Sequence, residues 1–205
     1  IALLFIGVIK VPWEKREVCI SAEAIIKQRD YRRLFLSIVE HGSDMHLYYN
    51  MISFLVKGRS LERRYGSTNF AFLLVMISAL TSAMYVGLGA GLAKFLQDDY
   101  YMMSCAIGFS GVIFALKVLT SSEQPNGSEY IAGMWIPKKY AAWVELLIIH
   151  LLVPNASFMG HLAGILAGLV YTSTPIGTIM DEFIVSITGE PIIHYRPSAY
   201  GWNIN

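Results

Sequence analysis

Ser110 and His161 are the two side chains in this sequence best suited to act as a nucleophile and its base. Ser110 lies in Gly108-Phe109-Ser110-Gly111, and His161 lies in Gly160-His161-Leu162-Ala163-Gly164, both inside long stretches almost free of charge. A serine hydroxyl attacks poorly at neutral pH until a base removes its proton. A neutral imidazole suits that task, with an unperturbed pKa of about 6.5. The tetrahedral oxyanion of acyl transfer then needs donors. His46 and Asn50 are four residues apart, so on a helix they share one face. Together with the Ser110 backbone N–H they form a candidate oxyanion hole, in which one donor is typically worth about 10²–10³ in rate. No aspartate sits where it could orient the base, so the pattern predicts a dyad and not a triad.

Each feature also has a plainer meaning. A serine in an apolar helix ordinarily bonds its own backbone. His46 and Asn50 could merely tie two helices together. Gly160, Gly164 and Gly168 recur every four residues and make a flat stripe that favours close helix packing. Gly111 and Ala115 make a matching small-residue pair, so a helix carrying His161 could approach one carrying Ser110. His41 could cap a helix or serve the site. His150 reads as an interfacial residue, and Glu145 has no assigned role. The combination, rather than any one residue, supports the chemistry.

The elements that must position these residues follow from where charge is absent. Residues 65–93 form an uncharged run of 29, residues 100–116 one of 17 ended by Lys117, and residues 146–180 one of 35. About 20 apolar residues cross a bilayer as a helix. Backbone groups in lipid must be satisfied within the chain, so continuous apolar runs predict helices and not a barrel. Pro154-Asn155 divides the longest run into a fifth span from about Tyr140 and a sixth from about Ala156 to Tyr171. Residues 46–56 form a weaker second span, and residues 1–9 read as the end of a truncated first one. The expected fold is therefore all-α, with six membrane-spanning helices. Residues 10–40 form a long polar connection expected to carry short helices of its own. Residues 121–133 read as a solvated loop, and residues 175–205 as a tail outside the membrane.

Composition agrees with this picture. Of the 205 residues, 55% are hydrophobic and 15% charged, with mean hydropathy +0.49. Soluble domains carry roughly a quarter charged residues. The net charge of +1 gives no basic field for nucleic acid. The two cysteines, Cys19 and Cys105, have no metal-binding spacing, and Cys105 lies in an apolar run, so no disulfide is expected between them.

Four motifs in order resemble the rhomboid family. These are His41-x4-His46-x3-Asn50, Glu62-x3-Gly66-Ser67, Gly108-x-Ser110-Gly111 and Gly160-His161-x2-Gly164. The resemblance implies a six-helix bundle over residues 1–174, first helix truncated, with residues 175–205 as a C-terminal tail. It implies catalytic Ser110 and His161, an oxyanion hole of His46, Asn50 and Ser110, and structural support from Glu62, Gly108, Gly111, Phe114, Gly160, Gly164 and Gly168. Neither cofactor nor metal is implied. The expected partners are transmembrane protein substrates, membrane lipid and quality-control machinery. The loop from Pro154 to Met159 would be a lid and the fifth span a lateral gate. Two departures are visible. The family's Trp-Arg in the first loop is replaced by Tyr31-Arg32-Arg33, and Phe114 stands where some members place a tyrosine over the catalytic histidine. The region around spans one to three most resembles the six-span rhomboid of the animal endoplasmic reticulum.

The rival within the family is a non-catalytic rhomboid-like protein that binds membrane clients for degradation. A channel or transporter ranks last, because it would need paired charges along a path. Positive charge divides evenly between the two sides, but the short clusters Arg59–Arg64 and Lys138-Lys139 favour the cytosol for the even loops. That orientation places the Asn126-Gly-Ser sequon in the cytosol and the Asn155-Ala-Ser sequon too near the bilayer. Neither should be glycosylated in microsomes; a glycosidase-sensitive shift that disappears in Asn126→Gln would reverse the orientation.

Overall fold

The computed structural model describes residues 12–124, 126–153 and 155–192. The expected truncated first span, residues 1–9, lies outside them, as does Pro154. Ten helices and one β-hairpin occur among the described residues. The long polar connection carries three short helices, α1 (Lys15–Val18), α2 (Ala22–Ile26) and α3 (Arg33–Val39). Then follow α4 (Asp44–Tyr65) and α5 (Ser67–Leu96).

Helix α4 outruns the expected second span because polar residues extend its far end. Ser43 caps it by accepting from the His46 N–H, Asp44 opens its first turn, and Arg63 and Arg64 close its last. These charges complement the helix dipole. Gly66, at φ +77°, then turns the chain directly into α5. Helix α5 has 30 residues and rises about 45 Å, more than the roughly 30 Å of hydrocarbon. Among the described residues it alone is long and apolar enough to cross a membrane as one helix.

The run at residues 100–116 departs from expectation. It is not one helix. A single turn, α6 (Tyr100–Met103), is followed by irregular chain, and α7 (Ser110–Ser122) begins at the serine itself. Nor does Lys117 end this helix: it is buried in the middle of α7, 3% exposed. Its ammonium pairs with Glu129 and, at 3.1 Å, with Glu145, which also lies 3.6 Å from Lys57. A buried charge is tolerated only when paired. Glu145, to which no role was assigned, thus joins lysines from α4 and α7. Glu129 belongs to a hairpin, β1 (Ser128–Ile131) with β2 (Met134–Pro137), where a loop was expected. Helices α8 (Lys138–Leu152), α9 (Phe158–Ser173) and α10 (Pro175–Thr188) complete the chain.

Helix α9 is the centre of the bundle, packed most extensively against α7 and then α5. Gly164 makes the approach to α7 possible. A Cβ there would run into the Gly111 carbonyl oxygen, and one at Gly168 would come 2.7 Å from the Val118 Cβ. Leu61, Leu73, Ile77, Leu116 and Ile184 fill the core on the side of α4, α5 and α10.

A second departure concerns the cysteines. Cys19 and Cys105 form a disulfide, with Cα atoms 5.6 Å apart. The expectation failed because Cys105 falls not in a helix but in the irregular chain before α7. There Ile20 and Ala106 exchange two backbone hydrogen bonds, of 2.9 and 3.0 Å, and bring the thiols together.

Two outcomes follow from this packing. The unreduced protein should offer no thiol to a maleimide, and Cys105→Ser should expose one, with stability lower by about 2–4 kcal/mol in thermal unfolding. Gly164→Val should force α7 and α9 apart and cost about 1–3 kcal/mol or more; an unchanged unfolding midpoint would contradict the close contact.

Candidate active site

Ser110 is the first residue of α7. Backbone N–H groups at a helix start have no partner within the helix, so they face whatever lies ahead of it. Helix α7 has 13 residues and rises about 20 Å, less than the hydrocarbon thickness, so if it enters a membrane one of its ends lies at depth. Irregular backbone at such depth is tolerated only where the protein itself satisfies its polar groups. The chain ahead of α4 does this at three positions. Ala106 pairs with Ile20, the Gly108 N–H donates to the Ser37 carbonyl at 2.7 Å, and the Phe109 N–H reaches His41 Nε2 at 3.5 Å. From the other side, the Tyr85 hydroxyl donates to the Ser104 carbonyl at 3.0 Å.

His161 is the fourth residue of α9, whose start is capped by Ser157 accepting from the Gly160 N–H at 3.1 Å. The glycine stripe turns the His161 side of α9 onto α7, and His161 Nε2 lies 2.9 Å from Ser110 Oγ. The imidazole is 4% exposed. Phe114, one turn along α7, stacks on it with centroids 4.7 Å apart and planes at 30°. His161 Nδ1 has no hydrogen-bond partner among the described residues. Among the described residues, the Phe114 ring and the Ser110 hydroxyl, and no carboxylate, hold the ring in place.

His46 and Asn50 approach from α4. The Gly42 N–H donates to His46 Nδ1 at 3.3 Å, which assigns the proton of a neutral ring to Nε2. That nitrogen faces Gly108: a Cβ there would lie 2.9 Å from it. Gly108 also has φ +115°, so both the turn and the space exclude a side chain. Asn50 is buried, and its amide Nδ2 has no partner among the described residues. Two donors and the start of α7 therefore converge beside Ser110. A pocket opens next to them, lined by Ile20, Ser37, Thr81, Tyr85 and Ala106.

The structure thus gathers Ser110, His161, His46, Asn50, Gly108, Gly111, Phe114, Gly160 and Gly164 in one place. Gly168 lies deeper, in the helix contact. Glu62 stands at the far end of α4, where it accepts from the Ser67 hydroxyl at 2.7 Å and fixes the turn at Gly66. His41, left open between a cap and the site, is fully buried; its Nδ1 bonds the Val39 carbonyl at 3.0 Å. Burial lowers its pKa to about 4. The five-residue spacing of His41 and His46 carried that signal. In the first loop, Arg32 is exposed and pairs with Asp30. Arg33 instead turns inward and donates to the Cys19 carbonyl at 3.0 Å. His150, half-buried on α8, lies against Phe158 at 4.9 Å between ring centroids.

Comparison with known proteins places this chain in a family. Residues 28–176 match the Rhomboid domain. The chain is 46% identical over 189 residues to Rhomboid-related protein 4 of Mus musculus, covering 92% of this chain and 59% of that protein. It is 48% identical over 163 residues to Rhomboid-related protein 4 of Homo sapiens, covering 80% and 52%. Rhomboid-type serine protease 2 of Yarrowia lipolytica is more distant, 24% identical over 156 residues, covering 76% of this chain and 50% of that protein. The chain spans between half and three-fifths of the length of these relatives. No solved structure matches it at a significant level. A domain match over most of the chain, with mammalian relatives at nearly half identity, makes this protein a member of the rhomboid family of membrane proteins.

Proposed function

We propose that this chain is an intramembrane serine protease that cleaves membrane-anchored proteins within or beside their transmembrane segments. The observation that carries the proposal is the 2.9 Å contact between His161 Nε2 and Ser110 Oγ inside a buried site. The reaction runs in two halves. His161 Nε2 takes the Ser110 hydroxyl proton as Oγ attacks the scissile carbonyl. Negative charge on the carbonyl oxygen is met by His46 Nε2–H, Asn50 Nδ2–H and the N–H at the start of α7. The histidine then gives its proton to the leaving amine, and an acyl-enzyme remains on Ser110. Water, activated by the same imidazole, releases the second product. No metal or cofactor takes part. The unpartnered Asn50 amide supports the oxyanion role, since a buried donor left unbonded is costly unless a ligand completes it.

Among the described residues, this proposal counts α4, α5, α7, α8 and α9 as spans. The site opens on the side of the first connection and of the Pro154 to Met159 lid, whose last two residues already belong to α9, and α8 is the lateral gate. The Cys19–Cys105 disulfide supports an oxidising compartment on that side, in keeping with an endoplasmic reticulum membrane whose even loops face the cytosol. A role in membrane-protein quality control, with its machinery as partner, belongs to the same proposal.

The test is cleavage of a single-span model substrate in vesicles. Wild type should cut it; Ser110→Ala and His161→Ala should not. Asn50→Ala should cut it about 10²–10³-fold more slowly while remaining folded. Equal cleavage by Ser110→Ala would end the proposal. A fluorophosphonate should label Ser110 in wild type and fail to label His161→Ala.

A further inference from the structure

Helix α10 lies beyond the catalytic machinery, at the opposite end of α9 from His161, and the motifs leave it without a function. Its geometry gives it one. Thr174 breaks the α9 helix: its hydroxyl donates back to the Val170 carbonyl at 2.6 Å and accepts from the Ile176 N–H at 3.3 Å. Pro175 then opens α10 with a fixed φ suited to a first helical turn. The two axes differ by 79°. If α9 runs near the membrane normal, α10 lies close to the membrane plane.

The level of α10 is fixed by buried contacts. Gly177, Met180 and Ile184 form its inner row, facing the core beside Tyr65 and Phe70. Asp181 accepts from the Tyr171 hydroxyl, which lies 2.8 Å from that of Tyr65. Thr188 donates to the Asn69 side-chain oxygen at 2.6 Å, and the Asn69 amide donates to the Glu190 carbonyl at 3.0 Å. Of these partners, Tyr65 and Asn69 flank the turn between α4 and α5, where Arg63, Arg64 and Ser67 form a polar cluster.

A second row points outward. Ile176, Ile179, Phe183 and Ile187 recur at three and four residues, with Ile179 62% and Phe183 53% exposed. The row contains no charge and lies roughly a quarter-turn from the buried one at 3.6 residues per turn. Glu182 and Ser186, both exposed, border its other side. Helix α5, against which α10 packs, also exposes Phe72 and Val75 one to two turns past the same junction. Helix α10 thus carries an exposed apolar row and packs on a helix that is itself long and apolar enough to cross a membrane.

We propose that α10 is an interfacial helix that lies in the headgroup layer, with Ile176, Ile179, Phe183 and Ile187 seated among the upper acyl carbons. A helix with one packed row, one apolar row and a polar border matches that environment. It fixes the depth of the bundle from the end remote from Ser110. The inference rests on the membrane location of α5 and is independent of proteolysis.

The full chain in phosphatidylcholine vesicles tests it, with the native disulfide intact and a single NBD probe on Phe183→Cys, Glu182→Cys or Val75→Cys. Phosphatidylcholine carrying a nitroxide near the top of its acyl chain should quench the Phe183 probe at least about twofold more than aqueous iodide does. Glu182 should show the reverse order, and Val75 should respond to lipid nitroxide alone. Iodide reaching Phe183 as readily as Glu182 would overturn the proposal by placing the row in water. Protection of Phe183 from both quenchers would overturn it by showing that protein, such as a second copy, covers the row. Lipid quenching at Val75 in either case would leave the membrane location standing while α10 fails; its absence would remove both. A melting temperature close to wild type for each labelled variant confirms that the probes report on the native fold.

Discussion

The contact between Gly111 and Gly164 is the constraint on which the site depends. Two helix backbones meet there with no room for one added carbon. Only at that separation does an imidazole on one helix come 2.9 Å from a hydroxyl on the other. In lipid no hydrophobic effect presses helices together, so close backbone packing and interhelical hydrogen bonds must hold them. The stripe from Gly160 to Gly168 supplies the first, and the adjoining surface carries His161. The packing row and His161 are thus neighbours on one side of the helix.

The second requirement is a stable irregular segment ahead of α7. Placing a serine at a helix start gives it free backbone donors, but it leaves the preceding chain without helical hydrogen bonds. The first connection supplies what is missing, through Ile20, Ser37 and His41, and the disulfide at Cys19 makes the attachment covalent. The long polar loop is therefore part of the scaffold of the site. Phe109 packs against Phe54 of α4 at 5.3 Å, so the irregular segment is held on its apolar side as well.

Away from the site, charge inside the bundle is managed by pairing. Lys117 on α7 meets Glu145 on α8 and Glu129 on the hairpin, with Lys57 of α4 nearby. Removing one member of such a cluster leaves a buried charge uncompensated, which costs about 3–5 kcal/mol. The cluster joins α4, α7 and α8 with the hairpin between the last two.

Much of this was legible in the sequence, because it depends on local order. The uncharged run at 65–93 became α5, since lipid demands helical backbone over such a length. The short helices of the first connection were expected from its length alone. His46 and Asn50 share a face because both lie on one helix, and the spacing of Gly160, Gly164 and Gly168 announced a close-packing surface. What the sequence could not decide involves residues brought together from different segments. It could not show that residues 104–109 are irregular, because an apolar run reads as helix until another segment is known to satisfy its backbone. The disulfide, the inward turn of Arg33 and the burial of Lys117 were missed for the same reason: each needs a partner between 12 and 86 positions away in the chain. The sequence alone determined which helices form and which faces carry chemistry. Only the tertiary structure decided which faces meet, because contact between distant segments depends on how closely whole helices can approach.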